Sequence, residues 1–188
     1  MDRQSGPLTV DDYLSLPADA PRCELVGGVL HVTPAPSNWH QDLALVIASR
    51  LRAHCRRTRC GKVVIAPFDV VLGPTTVVQP DVLFVGTARL GEVLGDPLRG
   101  RGAPDLVVEV LSPGTRRLDR TKKRRAYSRA GVQELWLVDG EVRTVEVWRR
   151  GPRSLVRQRL LGEGDQLSGT VVEGYRVRVG LLFEDAES

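Results

Sequence analysis

Two hydrophobic periods alternate along the chain, and their changes mark the elements. Cys23-Glu24-Leu25-Val26 and Val29-Leu30-His31-Val32 flank Gly27-Gly28, which predicts a β-hairpin with a two-residue turn. Leu43, Val46, Ile47 and Leu51 recur at helical spacing, so an amphipathic helix is expected over about 39–54, capped by Ser37 or Asn38. Segments 62–72 and 77–85 read as an antiparallel pair, the first interrupted by Pro67. Leu106–Leu111 is apolar on both faces except for Glu109, as a central strand would be. A helix is expected over 119–130, with Gly131 just past its end, and a strand over 135–138, which the intervening helix makes parallel to 106–111. Segments 142–148 and 155–161 add strands, and the alternation over 171–182 predicts one more. A short helix follows Thr9, and 89–102 reads as a glycine-rich surface loop with one helical turn. The sum is an α/β domain: a mixed central sheet flanked by helices, with extra β-hairpins.

Composition changes this picture little. A chain of 188 residues suits a single domain over 1–188, with 1–7 as a loose tail. Three cysteines without a Cys-x-x-Cys pair argue against a disulfide framework and for a reducing compartment, hence a cytoplasmic protein. No apolar run is long enough to span a bilayer. The net charge of +4 permits a polyanionic partner without demanding one. Its distribution says more, because residues 116–129 carry eight Lys and Arg against one acid, Asp119. Such a run serves either as a solvated helix face or as a nucleic-acid contact.

The candidate chemistry sits in acids set among apolar residues. Glu109 shares a strand face with Val107 and Leu111. An unpaired carboxylate there costs several kcal/mol or takes up a proton. Its partner is either a buried Lys or Arg or a hard divalent cation such as Mg²⁺ or Mn²⁺. Asp81 opens an earlier strand after Pro80 and is a second oxygen ligand in company with Glu109. Glu24 lies in the first hairpin, where an exposed cross-strand ion pair is the plainer reading. On the 119–130 helix, Lys123 stacks with Asp119 and Tyr127 at i−4 and i+4, a more inward face than that of Lys122. His40, His54, Cys55 and Cys60 match no zinc spacing, and no phosphate-binding glycine loop or nucleophile elbow is present.

Together these stretches resemble the PD-(D/E)XK nuclease superfamily, and within it the Uma-two family. The resemblance rests on Glu24-Leu25-Val26-Gly27-Gly28, on His40, on Gln79-Pro80-Asp81, on the run from Pro104 to Pro113, on Asp119 through Lys123 to Tyr127, and on the run from Ala130 to Asp139. It implies a restriction-endonuclease-like core and Mg²⁺-dependent hydrolysis of DNA phosphodiester bonds. Asp81 and Glu109 would be the metal ligands, Glu24 a further acid and Lys123 the catalytic lysine. Leu111 stands where the superfamily motif has its lysine, and Lys123 on the helix takes that place. On this reading Arg116, Arg117, Arg120 and Arg124 contact phosphates and the protein works as a homodimer. The alternatives are a non-catalytic nucleic-acid- or partner-binding module that retains the fold, and a structural protein in which Glu109 pairs with Lys123.

Overall fold

The computed structural model describes residues 6–187, so most of the expected N-terminal tail lies outside the described residues. Two sheets organise it. The first has the order β2-β1-β5-β4-β7 and the second β11-β10-β9-β8-β6-β3. The first contains β1 (Cys23–Val26), β2 (Val29–Val32), β4 (Asp69–Gly73), β5 (Thr76–Val78) and β7 (Arg99–Arg101). The second contains β3 (Gly61–Ile65), β6 (Val82–Gly86), β8 (Leu106–Leu111), β9 (Glu134–Asp139), β10 (Thr144–Arg150) and β11 (Leu155–Leu161). The pair β8 and β9 is parallel, as the helical connection requires, and the other pairings of this sheet are antiparallel.

The expected pair over 62–72 and 77–85 forms, but it is divided between the sheets. β3 pairs with β6 in one and β4 with β5 in the other. Pro67 and Pro80 sit at the two breaks, where a missing N–H ends a ladder. This double crossing delivers Asp81 to the seam between the sheets. The hairpin turn Gly27-Gly28 has φ of 62° and 79°, positive at both positions, which suits the twist of the flanking strands and favours glycine.

The helices are α1 (Val10–Leu14), α2 (Asn38–Thr58), α3 (Leu90–Leu94), α4 (Arg116–Leu118), α5 (Arg124–Ala130) and α6 (Gly180–Ala186). A wider π turn, Asp119–Lys123, joins α4 to α5 into one helical segment over 116–130. On one face of the second sheet, Phe84, Leu106, Val108, Trp136 and Val138 pack against α2 and α6. On the other face, Leu83, Val107, Leu135 and Leu137 pack with Tyr127 of α5 and with Val26, Val70 and Val78 of the first sheet. Strand parity turns Glu109 toward this second layer, beneath the 116–130 helix.

Two expectations fail. The alternation over 171–182 yields only a short strand, β13 (Arg176–Arg178), paired with β12 (Gln166–Ser168), and then α6. There Leu182, Phe183 and Ala186 are buried on a helical face that the alternation over 171–182 did not reveal. In the 89–102 segment the expected helical turn forms as α3, but the rest is no bare loop: β7 adds a parallel strand beside β4.

Candidate active site

The register brings the acids together. Val82 pairs with Val108, and continuing that antiparallel pairing by one residue sets Asp81 across from Glu109. Asp81 Oδ2 accepts the Val110 N–H at 2.8 Å and lies 3.3 Å from His40 Nε2. The same His40 nitrogen is 2.9 Å from the Val110 carbonyl oxygen. His40 is held there by the first turn of α2, whose N-cap Ser37 accepts the His40 N–H. Burial opposes a charge on this imidazole, but Asp81 outweighs it and holds the pKa above the ordinary histidine value.

Lys123 stands at the centre. It is only 3% exposed, and its Nζ lies 2.8 Å from Glu109 Oε1, 3.0 Å from Glu24 Oε1 and 3.4 Å from Asp119 Oδ1. The π turn carries both Asp119 and Lys123 inward; such turns recur at functional sites. Glu24 also accepts the Gln79 N–H at 2.6 Å, which ties β1 to the chain just before Asp81. Tyr127 is fully buried and donates its hydroxyl to Glu109 Oε1. The closest approaches to Glu109 thus fall on Oε1, and those to Asp81 on Oδ2. Both residues line a cleft of about 230 Å³ with Glu24, His40, Asp119 and Lys123.

Charge in this cleft does not balance. Four carboxylates, Glu24, Asp81, Glu109 and Asp119, face one ammonium, one imidazole and, at the rim, the Arg22 guanidinium, which donates to Gln79 and pairs with none of the four. Burial pushes Glu109 well above the usual carboxylate range; Lys123 pulls it down, while Asp119, Asp81 and Glu24 push it further up. Burial likewise raises Asp119, against the pull of Lys123. Burial alone would depress Lys123, but Glu109 and Glu24 hold its pKa well above the ordinary lysine value, so it stays protonated. The site therefore has room for another positive charge.

The donors match a hard divalent cation in kind, since they are carboxylate oxygens beside a backbone carbonyl. Among the described residues no three His, Cys, Asp or Glu side chains are gathered to hold an ion by themselves. Asp81 and Glu109 would need water and substrate oxygens to complete the shell, which is how Mg²⁺ is commonly bound.

All four residues singled out in the sequence, Glu24, Asp81, Glu109 and Lys123, meet in this cleft. The expected exposed ion pair for Glu24 is corrected: it is 3% exposed because β1 lies under the 116–130 helix. The four arginines are elsewhere. Arg116 pairs with Asp139 and Glu141, and Arg120 with Asp139 and Glu146. Arg124 donates to the Arg120 carbonyl oxygen and stacks over Trp148, with its guanidinium carbon 4.4 Å from the ring centroid. Arg117 is exposed and does not line the cleft. Sequence reasoning passed over Asp119 and Tyr127 as site residues, although the i−4 and i+4 stacking on Lys123 had placed them on its face. It also passed over Arg22, which lines the cleft and donates to Gln79 Oε1 at 2.8 Å; no local signal marks it.

The fold is restriction-endonuclease-like, and the chain belongs to the Uma2 family, whose model, described as "Putative restriction endonuclease", matches residues 10–180. Its structure is similar to a crystal structure of a "putative nuclease belonging to DUF820" from Anabaena variabilis. The TM-score is 0.80 at 21% identity, covering 96% of this chain and 99% of that one. No curated protein matches the chain. The family assignment supports a nuclease function. Among the described residues no helix is long and apolar enough to cross a membrane.

Proposed function

We propose that the cleft hydrolyses DNA phosphodiester bonds with the help of a divalent cation, Mg²⁺ or Mn²⁺, held by Asp81 and Glu109. The observation that carries this reading is the charge imbalance: four largely buried carboxylates, three of them sharing the one ammonium of Lys123 and the fourth on His40, with Arg22 at the rim paired to none. A structural ion pair needs one acid for one base. When bound, the cation neutralises phosphoryl oxygens and lowers the pKa of the attacking water.

The chain's own groups do the rest. Lys123, clamped by Glu109, Glu24 and Asp119, orients the water and adds positive field where negative charge develops. Tyr127 fixes the Glu109 carboxylate from behind, and His40 with the Val110 N–H fixes Asp81. Glu24 holds Lys123 to the Gln79 backbone. A duplex cutter of this size would act as a homodimer, and the three free thiols suit the cytoplasm.

The test is nicking of supercoiled plasmid across a Mg²⁺ and Mn²⁺ titration. Wild type cleaves only with the cation, and Asp81→Ala and Glu109→Ala lose at least about 10²-fold in rate while remaining folded. Equal cleavage by wild type and both variants would contradict the assignment. A second reading, a binding module without catalysis, has its own support in the close Lys123–Glu109 pair, 2.8 Å apart. It predicts DNA binding with no cation uptake at the acids.

A further inference from the structure

On the flank next to the face that carries Lys123, the 116–130 helix borders a second hollow. This groove, of about 380 Å³, lies between the helix and the β1–β2 and β4–β5 hairpins. Lys122, Arg125 and Arg129 line it, and all three are exposed. Their spacing of three and four residues puts them on one helix face, over about 10 Å of axis. Val26, Val29 and Leu72 form an apolar floor, and no carboxylate lines the groove. Among the described residues these three cations make no ion pair, unlike Arg116 and Arg120 one helix face away. Lys122 also lowers the pKa of His31 on β2, after burial, so its charge is felt across the hairpin.

The groove and the cleft share two walls. β2 borders both: Val29 lines the groove, and Thr33 and Pro34 just beyond its other end line the cleft. The helix does the same, with Asp119 and Lys123 in the cleft and Lys122, Ala126 and Arg129 in the groove. A positive groove without acids thus lies beside an acidic pocket on the same helix and strand.

We infer that Lys122, Arg125 and Arg129 form the phosphate-backbone track of a nucleic-acid duplex whose neighbouring phosphate enters the cleft. The span of about 10 Å covers roughly three base-pair steps of 3.4 Å. Three unpaired cations at that reach are complementary to a regular polyanion, and the apolar floor leaves the cations free to project. This inference deepens the nuclease reading and rests on it for the identity of the ligand.

The test is fluorescence anisotropy of a short labelled DNA duplex over a salt series, without added divalent cation. The variants are the triple Lys122→Gln, Arg125→Gln, Arg129→Gln and a control, Arg52→Gln, Arg56→Gln, Arg176→Gln. The control removes the same charge from exposed positions on the α2 side of the central sheet. The groove variant should lose about tenfold or more in affinity, and its log–log salt slope should become shallower by about 2 to 3. The control should keep the wild-type slope. An unchanged slope in the groove variant, an equal loss in the control, or no duplex binding by wild type would overturn the inference. If the groove variant alone loses binding while wild type fails to nick plasmid with Mg²⁺ or Mn²⁺, the track stands and the cleavage reading falls. If wild type nicks and the groove variant binds as wild type does, the track alone falls.

Discussion

Two clusters of buried acids lie on either side of the same helical segment, and they are built on opposite plans. Along β9 and β10, Asp139 and Glu146 are 2% and 7% exposed, and Arg116 and Arg120 reach them from the helix. With Glu141 on Arg116 and Arg157 on Glu146, three carboxylates meet three guanidiniums, and Asp139 also accepts the Glu141 N–H at 3.2 Å. That cluster is neutral and closed. In the cleft, Glu24, Asp81, Glu109 and Asp119 share Lys123 and His40. That cluster is short of positive charge and opens on a cavity. Burial of an acid is therefore common to scaffold and site, and what separates them is whether the protein supplies the compensating charge. On the proposed reading, the cleft leaves part of it to a cation.

Substitutions can break this contrast, and their effects should differ in size. The largest belongs to Lys123→Met, which leaves three buried carboxylates without their shared cation. It should destabilise the fold by about 3–5 kcal/mol near neutral pH, read by chemical denaturation. The loss should shrink as pH falls. Glu109 and Asp119 have raised pKa values, so the folded form binds more protons than the unfolded form between the unfolded and folded pKa. Their contribution to stability is then fully present below the unfolded carboxylate range and is lost as pH rises through the folded pKa. A loss independent of pH would mean that the acids are not the cause.

In the balanced cluster, Asp139→Ala removes the acceptor for Arg116, Arg120 and the Glu141 N–H. The cost should be about 2 kcal/mol, smaller because the two arginine side chains are 32% and 37% exposed and can turn to water. Arg120→Gln should cost least, about 0.5–1 kcal/mol, because screening weakens a pair that is already a third exposed. Thermal denaturation orders the three. If Arg120→Gln proved as damaging as Lys123→Met, the distinction between the clusters would collapse.

Much of this was written in local pattern. The stretch from Leu106 to Leu111 announces a buried central strand, and a glutamate inside it asks for a partner. The spacing of Asp119, Lys123 and Tyr127 gives one helix face, which favoured Lys123 over Lys122 without deciding between them. Long-range pairing was not. Arg116 and Arg120 read as free cations because Asp139 and Glu146 lie on strands that follow the helix, and only the sheet order brings them within reach. The prolines at 67 and 80 each signalled a break, yet nothing local said that the two breaks would align and pass both strands into a second sheet. Segment 180–186 failed for a different reason, since seven residues are too few for a helical period to outweigh a β-like alternation before it.

The central claim is that the cleft's missing charge is a divalent cation, and its direct test is calorimetric titration with Mn²⁺ at two pH values in buffers of different ionisation enthalpy. Glu109 must give up its proton to take the ion, so binding should tighten as pH rises and should release protons to the buffer. Glu109→Gln should abolish both effects. Binding that is indifferent to pH, releases no protons and survives Glu109→Gln would contradict the account.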